Sequence, residues 1–139
     1  MNKANTKEKK YLICLVEDSA LQRDATRDLL KLEDDFDVVD FKDGRFCVAY
    51  LEKEGTRKPS LFLLDEVLLT TTGSQLAGDL RYKYGYLKTP IVIYSAKIMT
   101  GKKDEKDFGK DKLIFLKGMA AHDLVARIRS AILESETSA

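Results

Sequence analysis

Glu17-Asp18, Asp65, Ser95 and Lys117 each stand at the end of a short apolar run, and their types belong together chemically. Leu12–Val16 leads into the acidic pair, Leu61–Leu64 into Asp65, Ile91–Tyr94 into Ser95 and Leu113–Leu116 into Lys117. A carboxylate can attack a phosphoryl group only if the charge that builds up in transfer is neutralised. A hard cation with oxygen ligands does this, and magnesium typically takes one or two carboxylates, water and phosphate oxygens. Glu17, Asp18 and Asp65 would supply such oxygens if the first and third runs lie side by side. Lys117 would meet a phosphoryl oxygen as a point charge, and Ser95 would donate a hydrogen bond to another. Taken singly, each has a plainer reading: Asp18 caps a helix, Ser95 opens a turn, Lys117 is solvated. Their joint occurrence at four successive run ends favours a shared site.

The segments that must position them alternate in character. Apolar runs of four or five residues bounded by turn signals suit strands buried on both faces. The pattern predicts strands over about Tyr11–Glu17, Phe36–Phe41, Leu61–Asp65, Ile91–Tyr94 and Leu113–Leu116. Helices are predicted over about Ala20–Glu33, Gly44–Glu54 with Asp43 as N-cap, Ser74–Tyr84 and Ala121–Leu133. Leu21, Ala25, Leu29 and Leu32 fall on one face of the first helix, and Leu124, Val125, Ile128 and Ile132 on one face of the last. Strands alternating with helices imply a doubly wound parallel sheet, whose strand tips share the edge where such folds bind ligands. Between the fourth and fifth strands, 97–112 holds Gly101, Gly109, many charges and few apolar residues, which predicts a weak or irregular fourth helix. Residues 1–9 read as a disordered lead-in, 10–134 as the domain and 135–139 as a tail.

Bulk properties exclude several classes. At 139 residues the chain is the size of one domain, and 44% hydrophobic with 34% charged residues fits an ordinary globular protein. A net charge of +1 gives no global pull toward nucleic acid or membrane. No apolar run approaches the roughly 20 residues of a membrane span, and no signal-peptide core follows the lysine-rich start, so a cytoplasmic protein is expected. Cys14 and Cys47 lack metal-type spacing and read as small core residues in a reducing compartment. The one histidine, His122, falls near the start of the last helix, facing solvent.

From about Lys10 to Glu134 the chain resembles the receiver domain of bacterial response regulators in two-component signalling. The resemblance is carried by Val16-Glu17-Asp18-Ser19, Leu63-Leu64-Asp65, Gly73, Tyr94-Ser95-Ala96 and Leu116-Lys117. It implies a flavodoxin-like five-stranded parallel sheet in the order 2-1-3-4-5, with Asp65 as phosphoacceptor. It further implies that Glu17, Asp18, Asp65 and the backbone carbonyl of Val67 hold Mg2+, that Ser95 is the switch hydroxyl and that Lys117 contacts the phosphoryl group. The implied donor is a phosphohistidine on a sensor histidine kinase or phosphotransfer protein. The implied role is a signalling phosphoacceptor that assists its own phosphorylation and dephosphorylation, rather than an enzyme acting on other substrates. The chain ends soon after the last helix, which leads one to expect a stand-alone type whose output is a protein contact or a phosphorelay, with no direct nucleic-acid or membrane contact.

Four departures stand out. Gly118 follows the lysine where the family usually has proline, and Ile114 occupies the place of a switch tyrosine or phenylalanine. Leu69 replaces a proline within the run Leu68-Leu69-Thr70-Thr71-Thr72, and the fourth helix is weak. These leave the acceptor chemistry intact and favour, as the alternative, a phosphorylation-independent interaction module on the same fold. An aspartyl phosphohydrolase is disfavoured, because Val67 stands where such enzymes place a second aspartate as general acid. A nucleotide-binding loop is disfavoured too, since Gly101-Lys102 lacks the preceding glycine and the following hydroxyl.

Overall fold

The computed structural model describes residues 7–95, 112–116 and 118–137, with backbone alone for Ser95 and 112–116. Among these, five strands alternate with helices: β1 (Tyr11–Val16), α1 (Ala20–Lys31), β2 (Phe36–Phe41), α2 (Gly44–Glu52), β3 (Leu61–Asp65), α3 (Gly73–Tyr82), β4 (Ile91–Ser95), β5 (Lys112–Leu116) and α4 (Ala121–Thr137). The strands form one parallel sheet in the order β2-β1-β3-β4-β5, the order expected. The irregular helix expected over 97–112 lies outside the described residues as far as 111, with Lys112 opening β5; Lys117 and its bond to Gly118 lie outside them too.

Side-chain alternation along the strands builds two separate cores. Ile13, Leu15, Leu61, Leu63 and Val92 face α1 and α4, where they meet Leu30, Leu124, Ile128 and Ile132. Cys14, Val16, Phe62, Leu64, Ile91 and Ile93 face α2 and α3, where they meet Cys47, Leu76, Ala77 and Leu80. All five residues of β3 are buried, as a central strand covered on both faces requires. Cys14 and Cys47 are free thiols in this second core, with sulfurs 3.5 Å apart. Burial, and then the hydrogen bond with Cys47, push the Cys14 thiol well above its ordinary pKa.

Asp43 caps α2 as expected, its side chain accepting from the Arg45 amide. The cap of α1 is Ser19, whose Oγ accepts from the Gln22 amide at 3.3 Å. α4 buries the four residues expected of it and continues past Leu133 to Thr137. Arg129 on α4 donates to both Asp35 carboxylate oxygens at 2.8 and 3.0 Å and to Glu33 at 2.9 Å, tying the last helix to the α1–β2 turn. The same turn is held from just ahead of β1: the Lys9 amide donates to Asp37 at 2.8 Å, and its Nζ donates to the carbonyls of Lys31 and Glu33.

Of the face expected for α1, Leu29 packs against the core and the other three residues do not. Leu21 and Leu32 are 82% and 78% exposed and Ala25 is exposed too, while Leu30 is fully buried. The sequence pattern misleads because the inward positions one and two turns before Leu30 are Thr26 and Arg23, both half-buried. Arg23 uses that position to donate to the Glu17 carbonyl at 2.8 Å and to pair with Asp40 at 3.4 Å. A polar anchor therefore sits where an apolar stripe would count a break.

This assignment separates two leucines of one helix. Leu30→Ala should cost about 2–5 kcal/mol, whereas Leu21→Ala should stay within about 0.5 kcal/mol, read from urea unfolding midpoints.

Candidate functional site

The register of β1 on β3 pairs Val16 with Leu64, so the residues after them, Glu17 and Asp65, emerge side by side at the carboxyl edge. Asp18 follows directly. One carboxylate oxygen from each of Glu17, Asp18 and Asp65 lies within 4.8 Å of the other two. Glu17 and Asp65 are only 3% and 6% exposed, so their repulsion is poorly screened by water. Three hard oxygen donors at this spacing fit a divalent cation of the magnesium type, which would relieve that repulsion.

Each member is held by its own local structure. Glu17 Oε2 accepts from the Ser19 amide at 3.1 Å, and the Glu17 amide donates to Phe41 on β2 at 3.0 Å. Because Ser19 caps α1, capping does not account for Asp18. Asp65 closes β3, paired with Tyr94 of β4. The next strand position, Ser95, is paired with Leu116 at the end of β5, so the backbone brings both to the same edge. The Ser95 side chain and Lys117 fall outside what is described.

The connection from β3 to α3 is a small folded unit. Val67 and Thr72 form an antiparallel bridge, and the Gly73 amide donates to the Glu66 carbonyl at 2.9 Å. Glu66 Oε1 takes the Ser74 amide at 2.9 Å and its hydroxyl at 2.7 Å. Thr72 and Gln75 form a reciprocal capping box on α3. Gly73 explains the glycine at this interval: a Cβ there would sit 2.4 Å from the Asp65 carbonyl oxygen and 3.2 Å from Glu66 Cα. Only glycine lets the helix start press against the backbone of Asp65.

Asp43 contributes more than a cap. Fully buried, it accepts from the Thr70 amide at 3.3 Å, the Thr70 hydroxyl at 2.7 Å and Arg45 Nε at 2.8 Å. Burial alone would raise its pKa; the hydrogen bonds from Thr70 and Arg45 outweigh that and lower it to about 2. Sequence reasoning had no view of Thr70, Glu66, Ser74 or Arg23 as supports. The threonine run stood out only as unusual. Gly118, found where the resemblance suggests proline, has a φ of +91°. A proline ring holds φ near −65°, so proline does not fit this backbone.

Comparison with known proteins agrees with this architecture. The sequence matches the response regulator receiver domain over residues 13–129. The fold is similar to a CheY-like receiver domain protein from Methanospirillum hungatei, at 20% identity over 96% of this chain and 100% of that one, with a TM-score of 0.76. It is similar to the Francisella response regulator 1452 receiver domain, at 18% identity, 90% and 98% coverage and a TM-score of 0.74. A third likeness is to the phosphorylated cyanobacterial phytochrome response regulator RcpA, at 22% identity, 93% and 96% coverage and a TM-score of 0.68. No curated protein gives a significant sequence match.

Two outcomes follow from this geometry. Gly73→Ala should destabilise the protein by roughly 1–3 kcal/mol and shift the NMR amide signals of Asp65 and Glu66, since backbone atoms must move. Asp43 is ionised in the fold down to about pH 2, against an ordinary carboxyl value of 3.8. Its contribution, on the order of 2 kcal/mol, is therefore complete above the ordinary value and lost as pH falls through the lower one. The gap in urea midpoint between wild type and Asp43→Asn should be wide at neutral pH and narrow steadily below pH 4, about where protonation begins.

Proposed function

The chain belongs to the response regulator receiver domain family, and from that premise we propose that Asp65 accepts a phosphoryl group and that its phosphorylation switches protein contacts. The observation that carries this reading is the convergence of Glu17, Asp18 and Asp65 at the carboxyl edge of the sheet. Asp65 is the acceptor in this reading because it ends the central strand between the acidic pair on β1 and the tip of β4. Its carboxylate oxygen attacks phosphorus in line, the P–N bond of a phosphohistidine donor breaks, and the imidazole nitrogen keeps the electron pair. Glu17, Asp18, Asp65 and the Val67 backbone carbonyl would hold Mg2+, which when bound supplies positive charge beside the phosphoryl oxygens. Ser95 donates to one phosphoryl oxygen and Lys117 balances the charge of another, roles supported by their order at successive strand ends. The donor is a sensor histidine kinase or phosphotransfer protein. Among the described residues no helix is long and apolar enough to cross a membrane.

With magnesium and a small phosphodonor such as acetyl phosphate, the intact protein should gain the mass of one phosphoryl group. Asp65→Asn should gain none. An unchanged wild-type mass, at saturating donor, would favour a phosphorylation-independent interaction module instead.

A further inference from the structure

The phosphoacceptor reading makes no use of the contact between Asp43 and Thr70, although it joins two loops far apart in sequence. Asp43 ends the β2–α2 connection, and Thr70 sits inside the turn closed by the Val67–Thr72 bridge. Thr70 gives Asp43 two hydrogen bonds, from its amide to Oδ1 and from its hydroxyl to Oδ2, so both position and orientation are constrained. The carboxylate is itself held from the α2 side by the amide and Nε of Arg45. α2 in turn is seated on β1 through Cys47 against Cys14.

Among the described residues, few other groups hold the tip of the turn. Val67 and Leu69 are mostly exposed, and of the turn's apolar residues only Leu68 reaches the core. The base of the turn is fastened by the bridge and by the bonds of Glu66; nearer the tip, Leu68 is buried, the Thr71 hydroxyl donates to Gln75 at 2.9 Å, and Thr70 is held by Asp43.

We propose that Asp43 is a positioning residue for the cation site: by holding Thr70 it fixes the turn that carries Val67 and so sets the carbonyl oxygen which that residue offers beside Asp65. This rests on the metal role given to Val67 in the proposed function. Thr70 acts as the handle, and Asp43 as a buried, ionised anchor that never meets the ligand. The arrangement also gives α2 a direct mechanical link to the cation site, independent of the strand edge on which Ser95 lies.

The test uses Thr70→Val, which removes the hydroxyl bond while leaving the α2 cap in place, with Thr70→Ser as the conservative rescue. Magnesium binding is measured by calorimetry, and backbone amide exchange across 66–72 is measured without metal. Thr70→Val should weaken magnesium binding about tenfold or more and speed exchange at the tip of the turn, and Thr70→Ser should restore both. Wild-type magnesium affinity in Thr70→Val overturns the proposal, whether or not exchange changes. If the wild-type protein takes up no magnesium, the metal role of Val67 falls and the positioning role falls with it. That failure is distinct, because it shows before any variant is compared.

Discussion

Three carboxylates with oxygens inside 4.8 Å of one another, two of them buried, repel at close range, and the carboxyl edge of the sheet is organised around containing that repulsion. The strand register forces Glu17 and Asp65 together, and the helices that follow begin beside them. α1 and α3 both direct their amino ends, the positive ends of their dipoles, to the same edge as the acids. Arg23 adds a cation beneath the first of them through the Glu17 carbonyl, and the Ser19 amide meets the Glu17 side chain. Dipoles and amides of this kind temper like charges without neutralising them. A divalent cation held by the three carboxylates would relieve that repulsion directly.

The parts of this arrangement that lie close in sequence were legible there. Apolar runs of four or five residues ending in Glu17, Asp65 and Ser95 reported strand and edge together, because a strand covered on both faces is apolar throughout and such runs are too short for helices. Asp43 as a cap and the inward face of α4 followed from local spacing. The face of α1 did not, since Arg23 is half-buried for the sake of its bonds, and a hydrophobic count registers it as solvent-facing. Nor did the tether from Asp43 to Thr70. The two residues are 27 positions apart, and nothing in either local sequence announces the other. Gly73 is intermediate: its interval from Asp65 was visible, while its reason, a carbonyl where a Cβ would go, belongs to three dimensions.

Two of the four departures, at Gly118 and Leu69, can be set against the structure. At Gly118 the backbone lies in a region that proline does not reach, so glycine suits the conformation found here. In the β3–α3 turn, where Leu69 lacks the ring of a proline, the chain is held by polar bonds: the capping box of Thr72 and Gln75, the Glu66 bonds to Ser74, and the Asp43 bonds to Thr70. The unusual threonine run is thus a set of hydrogen-bonding hydroxyls where a ring would have restricted the chain by sterics alone.

The contact of Cys14 with Cys47 has a practical side. The chain has no tryptophan and only these two cysteines, and both sulfurs are sealed between β1 and α2. A thiol reagent can reach them only when that seam parts, and burial keeps the Cys14 sulfur in its unreactive protonated form until it does. The protein therefore carries a built-in clock for the breathing of its own core, set in the strand that leads directly to Glu17 and the helix that Asp43 begins.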